Sequence, residues 1–129
     1  MIKKVEHTAL IVKDMDQSIE YYQRLFHFQL RIRGTTQARE LAFLFHPNQP
    51  SFEIELIRDI ESTNDYASKG IVNHLAFTVE NIEECIDKLK QEGVTFLTET
   101  PNSSIDGGKT IFFYGPNEEL LQLVQPVGR

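Results

Sequence analysis

The sequence predicts an α+β protein made of two tandem βαβββ modules, and three observations carry that prediction. VEHTALIV at residues 5–12 and VNHLAFTV at residues 72–79 read alike, with His7 and His74 in the same place 67 residues apart. The same spacing carries Glu55 in FEIELI onto Gln122 in LLQLVQ. It also relates Ala9 to Ala76, Val12 to Val79, Ile19 to Ile86, Leu30 to Leu97, Phe45 to Phe112 and Leu56 to Leu123, with no gap. Agreement through strand, helix and final strand marks an internal duplication.

Each element follows from its local pattern. Residues 5–12 are apolar and β-branched, as expected of a strand covered on both faces. Met15, Ile19, Tyr22 and Phe26 then fall at helical spacing, with Asp14 or Asp16 as N-cap. Strands are expected at 28–33, ending at Gly34, at 40–45 and at 51–58, with HPNQP at 46–50 as a turn. In the last of these, Glu53, Glu55 and Ile57 share one face and Ile54 and Leu56 the other.

The second half repeats the order. After the strand at 72–79, Asn81 is the N-cap and Glu84 completes a capping-box pattern. Ile82, Cys85, Ile86 and Leu89 form the apolar stripe, and Gly93 ends the helix. Strands are expected at 94–99, 109–114 and 119–125, with a GPN turn at 115–117. The chain thus reads as one domain, 1–129: module 1 over about 1–61, a polar linker STNDYASKG at 62–70, and module 2 over about 71–129.

Composition narrows the function. A chain of 129 residues with 40% hydrophobic and 25% charged residues suits a globular domain with a real core. No apolar run has the length of a membrane span, and no signal-type segment follows the basic N-terminus, so a cytoplasmic location is expected. A net charge of −6 without a Lys/Arg cluster argues against nucleic-acid partners. One cysteine gives neither a disulfide framework nor a Cys-rich zinc site.

Four polar residues stand out. An imidazole inside an apolar strand is costly unless its nitrogens find partners, so His7 and His74 are either core histidines bonded to backbone carbonyls or ligands. Glu55 and Gln122 lie in final strands that are apolar on the opposite face, which points their own face toward a cavity. If a pseudo-twofold relates the repeats, two imidazoles and two oxygens can converge on one divalent ion: Zn²⁺, Ni²⁺, Co²⁺, Mn²⁺ or Fe²⁺.

The chain also resembles the vicinal oxygen chelate superfamily, in particular its glyoxalase I-like group with the glyoxalase/bleomycin resistance/dioxygenase fold. HTALIVKDMDQSIEYYQRLFHFQL, NHLAFTVENIEECIDKLKQEGV and FFYGPNEELLQLVQP carry the resemblance over essentially the whole length. It implies two βαβββ modules forming a concave, eight-stranded mixed sheet around one divalent metal ion. Transferred by motif, the metal ligands are His7, Glu55, His74 and Gln122. It further implies a homodimer and a small-molecule substrate that chelates through vicinal oxygens. The expected activity is a lactoylglutathione lyase-type isomerisation of a thiol–α-oxoaldehyde hemithioacetal. The alternatives are a non-catalytic drug-binding protein of the same fold and a ring-cleaving dioxygenase.

One position departs from the family pattern. The final-strand ligand is usually glutamate, and here it is Gln122; Glu119 lies three residues away and faces the other side. An amide coordinates through its carbonyl oxygen but cannot act as a base, which leaves Glu55 as the catalytic candidate for proton transfer. Other residues carry less. Cys85 reads as a packed thiol, and His27 and His46 as helix-end and turn residues. Phe43, Phe45, Phe112 and Tyr114 read as cavity wall or core. The Gly-rich stretch 103–109 reads as a mobile loop at a cavity mouth. Arg31, Arg33 and Arg39 either steer an anionic substrate or are solvated strand-end charges.

Overall fold

The computed structural model describes residues 1, 3–36, 38–60, 72–104 and 106–127. The chain divides into two compact units, Met1–Ser68 and Lys69–Arg129. The polar stretch 62–70 read as a linker lies outside the described residues.

The first unit runs β1 (His7–Ile11), α1 (Met15–Phe26), β2 (Gln29–Thr36), β3 (Arg39–His46) and β4 (Gln49–Asp59). The second runs β5 (Leu75–Thr78), α2 (Ile82–Gln91), β6 (Asn102–Ser103), β7 (Lys109–Tyr114) and β8 (Leu120–Gln125). Their sheets have matching orders, β1-β4-β3-β2 and β5-β8-β7-β6. In each, the first strand is parallel to the last and the other pairings are antiparallel. The result is the expected βαβββ repeat, with eight strands in two mixed four-stranded sheets.

Local chemistry sets the helix ends. The Asp14 carboxylate accepts from the Gln17 N–H at 3.0 Å and starts α1, and the Asn81 Oδ1 accepts from the Glu84 N–H at 3.1 Å and starts α2. Gly93, at φ 91°, ends α2: its N–H bonds to the Lys90 carbonyl and that of Val94 to the Leu89 carbonyl, both at 3.0 Å. This paired closure needs a left-handed residue at its centre, which glycine adopts without steric cost. His27 takes the equivalent left-handed position after α1, at φ 64°. His46 Nδ1 accepts from the Asn48 N–H in the β3–β4 turn. Both histidines therefore do local work, as their positions predict.

Alternation then divides each sheet into two faces. Ala42, Leu44, Ile54 and Leu56 are buried together with Met15, Ile19, Tyr22 and Leu25 of α1. In the second unit Ile111, Phe113, Leu121 and Leu123 are buried together with Ile82, Ile86 and Leu89 of α2. With every second residue turned toward the helix, Phe43, Glu55, Phe112 and Gln122 are left on the opposite face. Packing of the helices thereby fixes which face is free to carry a site.

The structure changes three expectations. Residues 5–12 were expected to be covered on both faces, yet β1 is an edge strand whose His7, Ala9 and Ile11 are exposed. The strand expected at 94–99 is reduced to a bridge between Phe96 and Phe113 and an N–H bond from Leu97 to the Phe112 carbonyl. Regular pairing resumes only at β6, past Pro101, whose missing N–H and restricted neighbour disfavour a continuous ladder. The described part of the stretch 103–109, read as a loop, connects β6 to β7. The Ser104 N–H donates to the Gly108 carbonyl at 2.8 Å, and the Asp106 carboxylate accepts from the Gly108 N–H at 3.2 Å, which closes the β6–β7 hairpin.

The third change concerns the repeat itself. Ungapped spacing matches Phe112 to Phe45, but in the sheets Glu55 lies opposite Phe43 and Gln122 opposite Phe112. Phe43 is therefore the structural counterpart of Phe112. The β3–β4 hairpin is longer by two residues than the β7–β8 hairpin, which compensates a two-residue shift elsewhere. An even shift preserves the faces, so the duplication stays visible in sequence despite it.

Candidate metal centre

In the first module, β1 and β4 run side by side with Ala9 opposite Glu55 and His7 opposite Glu53. The His7 ring leans toward Glu55, placing Nε2 3.5 Å from Oε1. Its other nitrogen is engaged: Nδ1 lies 3.0 Å from a carboxylate oxygen of Glu6. Phe43 packs edge-on to the imidazole, at a centroid distance of 5.6 Å and an interplanar angle of 89°. The Glu55 side chain is 14% exposed and that of His7 35%, so the pair sits in a half-sheltered recess of the free sheet face.

The second module repeats this arrangement. Gln122 lies between Ala76 and Phe112 on the neighbouring strands. His74 stacks edge-on to Phe112 at 5.2 Å and 85°. Its Nδ1 lies 2.9 Å from the Asn73 side-chain oxygen. Among the described residues, the Gln122 amide has no hydrogen-bond partner, which leaves its carbonyl oxygen available as a donor atom.

The donor pair of module 1 fits one side of a divalent ion. Two donors each about 2.1 Å from one ion, at tetrahedral or octahedral angles, stand about 3.0–3.4 Å apart. The His7–Glu55 separation is close to that span, and both atoms are borderline-hard donors of the sort Zn²⁺, Mn²⁺ and their neighbours accept. Among the described residues, no group of three or more His, Cys, Asp or Glu side chains is assembled. The structure brings His7 and Glu55 together in module 1, and it sets His74 and Gln122 on the same face of module 2.

Other sequence candidates are now placed. The three arginines all have carboxylate partners: Arg31 forks onto Glu53 at 2.6 and 2.9 Å, Arg33 bonds Asp16 and Glu40, and Arg39 bonds Asp59. Of the three, Arg31 lies 5.2 Å over the ring of Phe43, the phenylalanine that packs against His7. Glu119 turns into the β7–β8 turn, where it accepts from the Asn117 backbone N–H at 2.7 Å, and so stands away from Gln122. Cys85 is half-buried, and burial raises its thiol pKa, as suits a packed thiol. Sequence reasoning missed Glu6 and Asn73. They are themselves 67 residues apart, immediately before the two histidines, and that coincidence was the available signal.

Behind the sheet, Glu40 accepts from Arg58 at 3.0 Å and from Arg33 at 2.9 Å. Partial desolvation pushes its carboxyl pKa up, but the Arg58 and Arg33 hydrogen bonds outweigh that and the net shift is downward. A depressed folded pKa stabilises fully above the unfolded value, about 4.3, and the contribution is lost as pH falls through the folded value. Glu40→Gln should therefore cost about 1 kcal/mol near neutrality. It should also shrink the loss of stability on acidification. Urea midpoints at pH 7 and pH 3 check both, and an equal deficit at the two pH values would contradict the assignment.

Comparison with known proteins identifies the family and the fold. Residues 6–113 match the model of the Glyoxalase/Bleomycin resistance protein/Dioxygenase superfamily. The chain belongs to that family. The Bacillus subtilis protein YwbC is 30% identical over 97% of this chain and 99% of its own. A Vibrio cholerae protein described as a probable lactoylglutathione lyase is 27% identical, and the Listeria monocytogenes fosfomycin resistance protein FosX is 26% identical. Each aligns over 95% of this chain and 90% of its own length. Among solved structures, a glyoxylase/bleomycin resistance protein/dioxygenase domain from Frankia superposes with a TM-score of 0.79 at 20% identity, covering 99% of this chain and 95% of that one. A Mn(II) complex of Listeria FosX superposes at 0.71 and 21% identity, covering 99% and 96%. These likenesses establish the fold. No helix among the described residues is long and apolar enough to cross a membrane.

Proposed function

We propose that this protein is a metal-dependent glyoxalase-like enzyme, in which His7, Glu55, His74 and Gln122 hold one divalent ion. One observation carries it: the 3.5 Å approach of His7 Nε2 to Glu55 Oε1, with Nδ1 already occupied, leaves two convergent donor atoms facing the open side of the sheet. The Mn(II) complex of FosX and the lyase description of the Vibrio relative support the same choice.

Held by these residues, a divalent ion would supply Lewis acidity. The chain's own groups do the rest. His7 and His74 hold through Nε2, and Gln122 holds through its amide oxygen. Glu55 is the one carboxylate in the set, so it removes the proton from the sulfur-bearing carbon of a hemithioacetal and returns it to the adjacent carbon, while the hydroxyl proton passes to the neighbouring oxygen, so that the first carbon becomes the thioester carbonyl and the second the carbinol. With two neutral imidazoles, an amide and one carboxylate, the divalent site keeps a formal charge of +1. A net positive centre favours substrates that bring oxygen anions. The protein works as a homodimer in the cytoplasm in this account, and the 1–129 chain acts as one domain.

A second function, drug binding without catalysis, is favoured by Gln122 standing where a carboxylate is usual. One experiment separates the two. Untagged protein is assayed for bound metal, titrated with Zn²⁺, Ni²⁺ and Mn²⁺, and tested on a methylglyoxal–thiol hemithioacetal, alongside His7→Ala and His74→Ala. Stoichiometric metal and turnover, both lost in each variant, are expected. A chain that takes up none of the three ions would sink the enzyme assignment.

A further inference from the structure

Each candidate histidine has its Nδ1 against the side-chain oxygen of the residue immediately before it. Glu6 Oε1 lies 3.0 Å from His7 Nδ1, and Asn73 Oδ1 lies 2.9 Å from His74 Nδ1. The two contacts occupy equivalent places in independent modules. Glu6 and Glu55 are both acceptor-only carboxylates, but the 3.0 Å Glu6 contact has hydrogen-bond geometry while Glu55 stands 3.5 Å from Nε2, which favours the proton on His7 Nδ1. Asn73 presents its side-chain oxygen at the equivalent place, an arrangement that suits the same tautomer at His74. Both rings are clamped on their second side by an edge-on phenylalanine, Phe43 and Phe112.

We infer that Glu6 and Asn73 are positioning residues: each holds its histidine as the Nδ1–H tautomer, so that the Nε2 lone pair is presented to a divalent cation. This rests on the proposed function for its consequence, but not for its geometry. A free imidazole favours the opposite tautomer, with the proton on Nε2 and no lone pair on that side. Without the preceding oxygen, metal binding would have to shift the proton first. The partner also makes the ring a stronger donor, as the outer carboxylate or carbonyl does for other metal-bound histidines.

The two modules differ in one respect. Module 1 carries carboxylates at both positions, Glu6 and Glu55, where module 2 carries the amides Asn73 and Gln122. The negative charge brought to a cation is thus concentrated on the His7 half, and the His74 half contributes neutral dipoles. Glu6 is three-quarters exposed, so its effect is steering of the ring more than long-range charge.

The test uses the full chain, with two readouts. Nitrogen-15 shifts of the histidine rings in metal-free protein, at a pH where both are neutral, report the tautomer. Competition titration with a chromophoric chelator reports Zn²⁺ affinity. Both rings should show Nδ1–H in the wild type. Glu6→Ala and Asn73→Ala should each revert the neighbouring ring toward Nε2–H and weaken Zn²⁺ binding about 10- to 100-fold. Glu6→Gln and Asn73→Asp keep an acceptor oxygen and should restore most of both signals. If both rings are Nε2–H in the wild type, or if the alanine variants keep the Nδ1–H pattern, the inference is overturned. A wild type that shows Nδ1–H but takes up no Zn²⁺ supports the positioning role and counts against the proposed function alone.

Discussion

Glu55→Gln is expected to lower hemithioacetal turnover by about 10²- to 10⁴-fold while leaving the metal in place. Glutamine keeps an oxygen donor of nearly the same reach, so coordination survives with one negative charge less. What disappears is the only carboxylate of the set able to carry a proton between carbons, because the corresponding position in module 2 is already an amide. The converse substitution, Gln122→Glu, puts a second base on the other module and should raise turnover or restore it in the Glu55→Gln background. The pair isolates the proton-transfer role from simple ligation. Full activity in metal-loaded Glu55→Gln, measured by thioester formation, would contradict a base at this position.

Phe113→Ala is expected to destabilise the second module by about 3–5 kcal/mol. Phe113 is fully buried, lies opposite Leu121 on β8, and packs edge-on to Phe96 at 5.3 Å. Removing the ring takes away both its transfer free energy and the partner that holds the 94–97 segment to the sheet. That segment has little other regular pairing, since β6 is only Asn102–Ser103. The loss should therefore appear as a lower urea midpoint and as faster amide exchange at Leu97. Phe113→Leu, which keeps most of the volume, should cost under about 1.5 kcal/mol. A midpoint shift in the alanine variant worth less than 1 kcal/mol, on the order of a surface change, would show that the site collapses around the missing ring.

Much of the fold was legible because its signals are local. Asp14 and Asn81 cap helices through their own side chains, and Gly93 adopts the left-handed closure that ends α2. Alternation in FEIELI and LLQLVQ told which residues face a helix and which do not. The edge strand of module 2 was not legible. Residues 94–99 have strand composition, but Pro101 and the bends before it decide their pairing, and composition does not weigh a missing N–H. The true partner of Phe112 was hidden for a related reason. An ungapped spacing cannot register that one hairpin is longer than its counterpart, and only the ladder shows Phe43 in that place.

For the candidate site, the sequence by itself determined the residue types and their pairing across the repeat: His7 with His74, and Glu55 with Gln122. Periodicity did this, since a strand residue's face follows from its position. The tertiary structure decided what those side chains meet. It brought His7 Nε2 to Glu55 and set an edge-on ring against each imidazole. It also showed that Glu6 and Asn73 take up the Nδ1 side of the two rings. Such contacts depend on strand register, ring rotation and the neighbouring strand, which are fixed only when the sheet is packed against its helix.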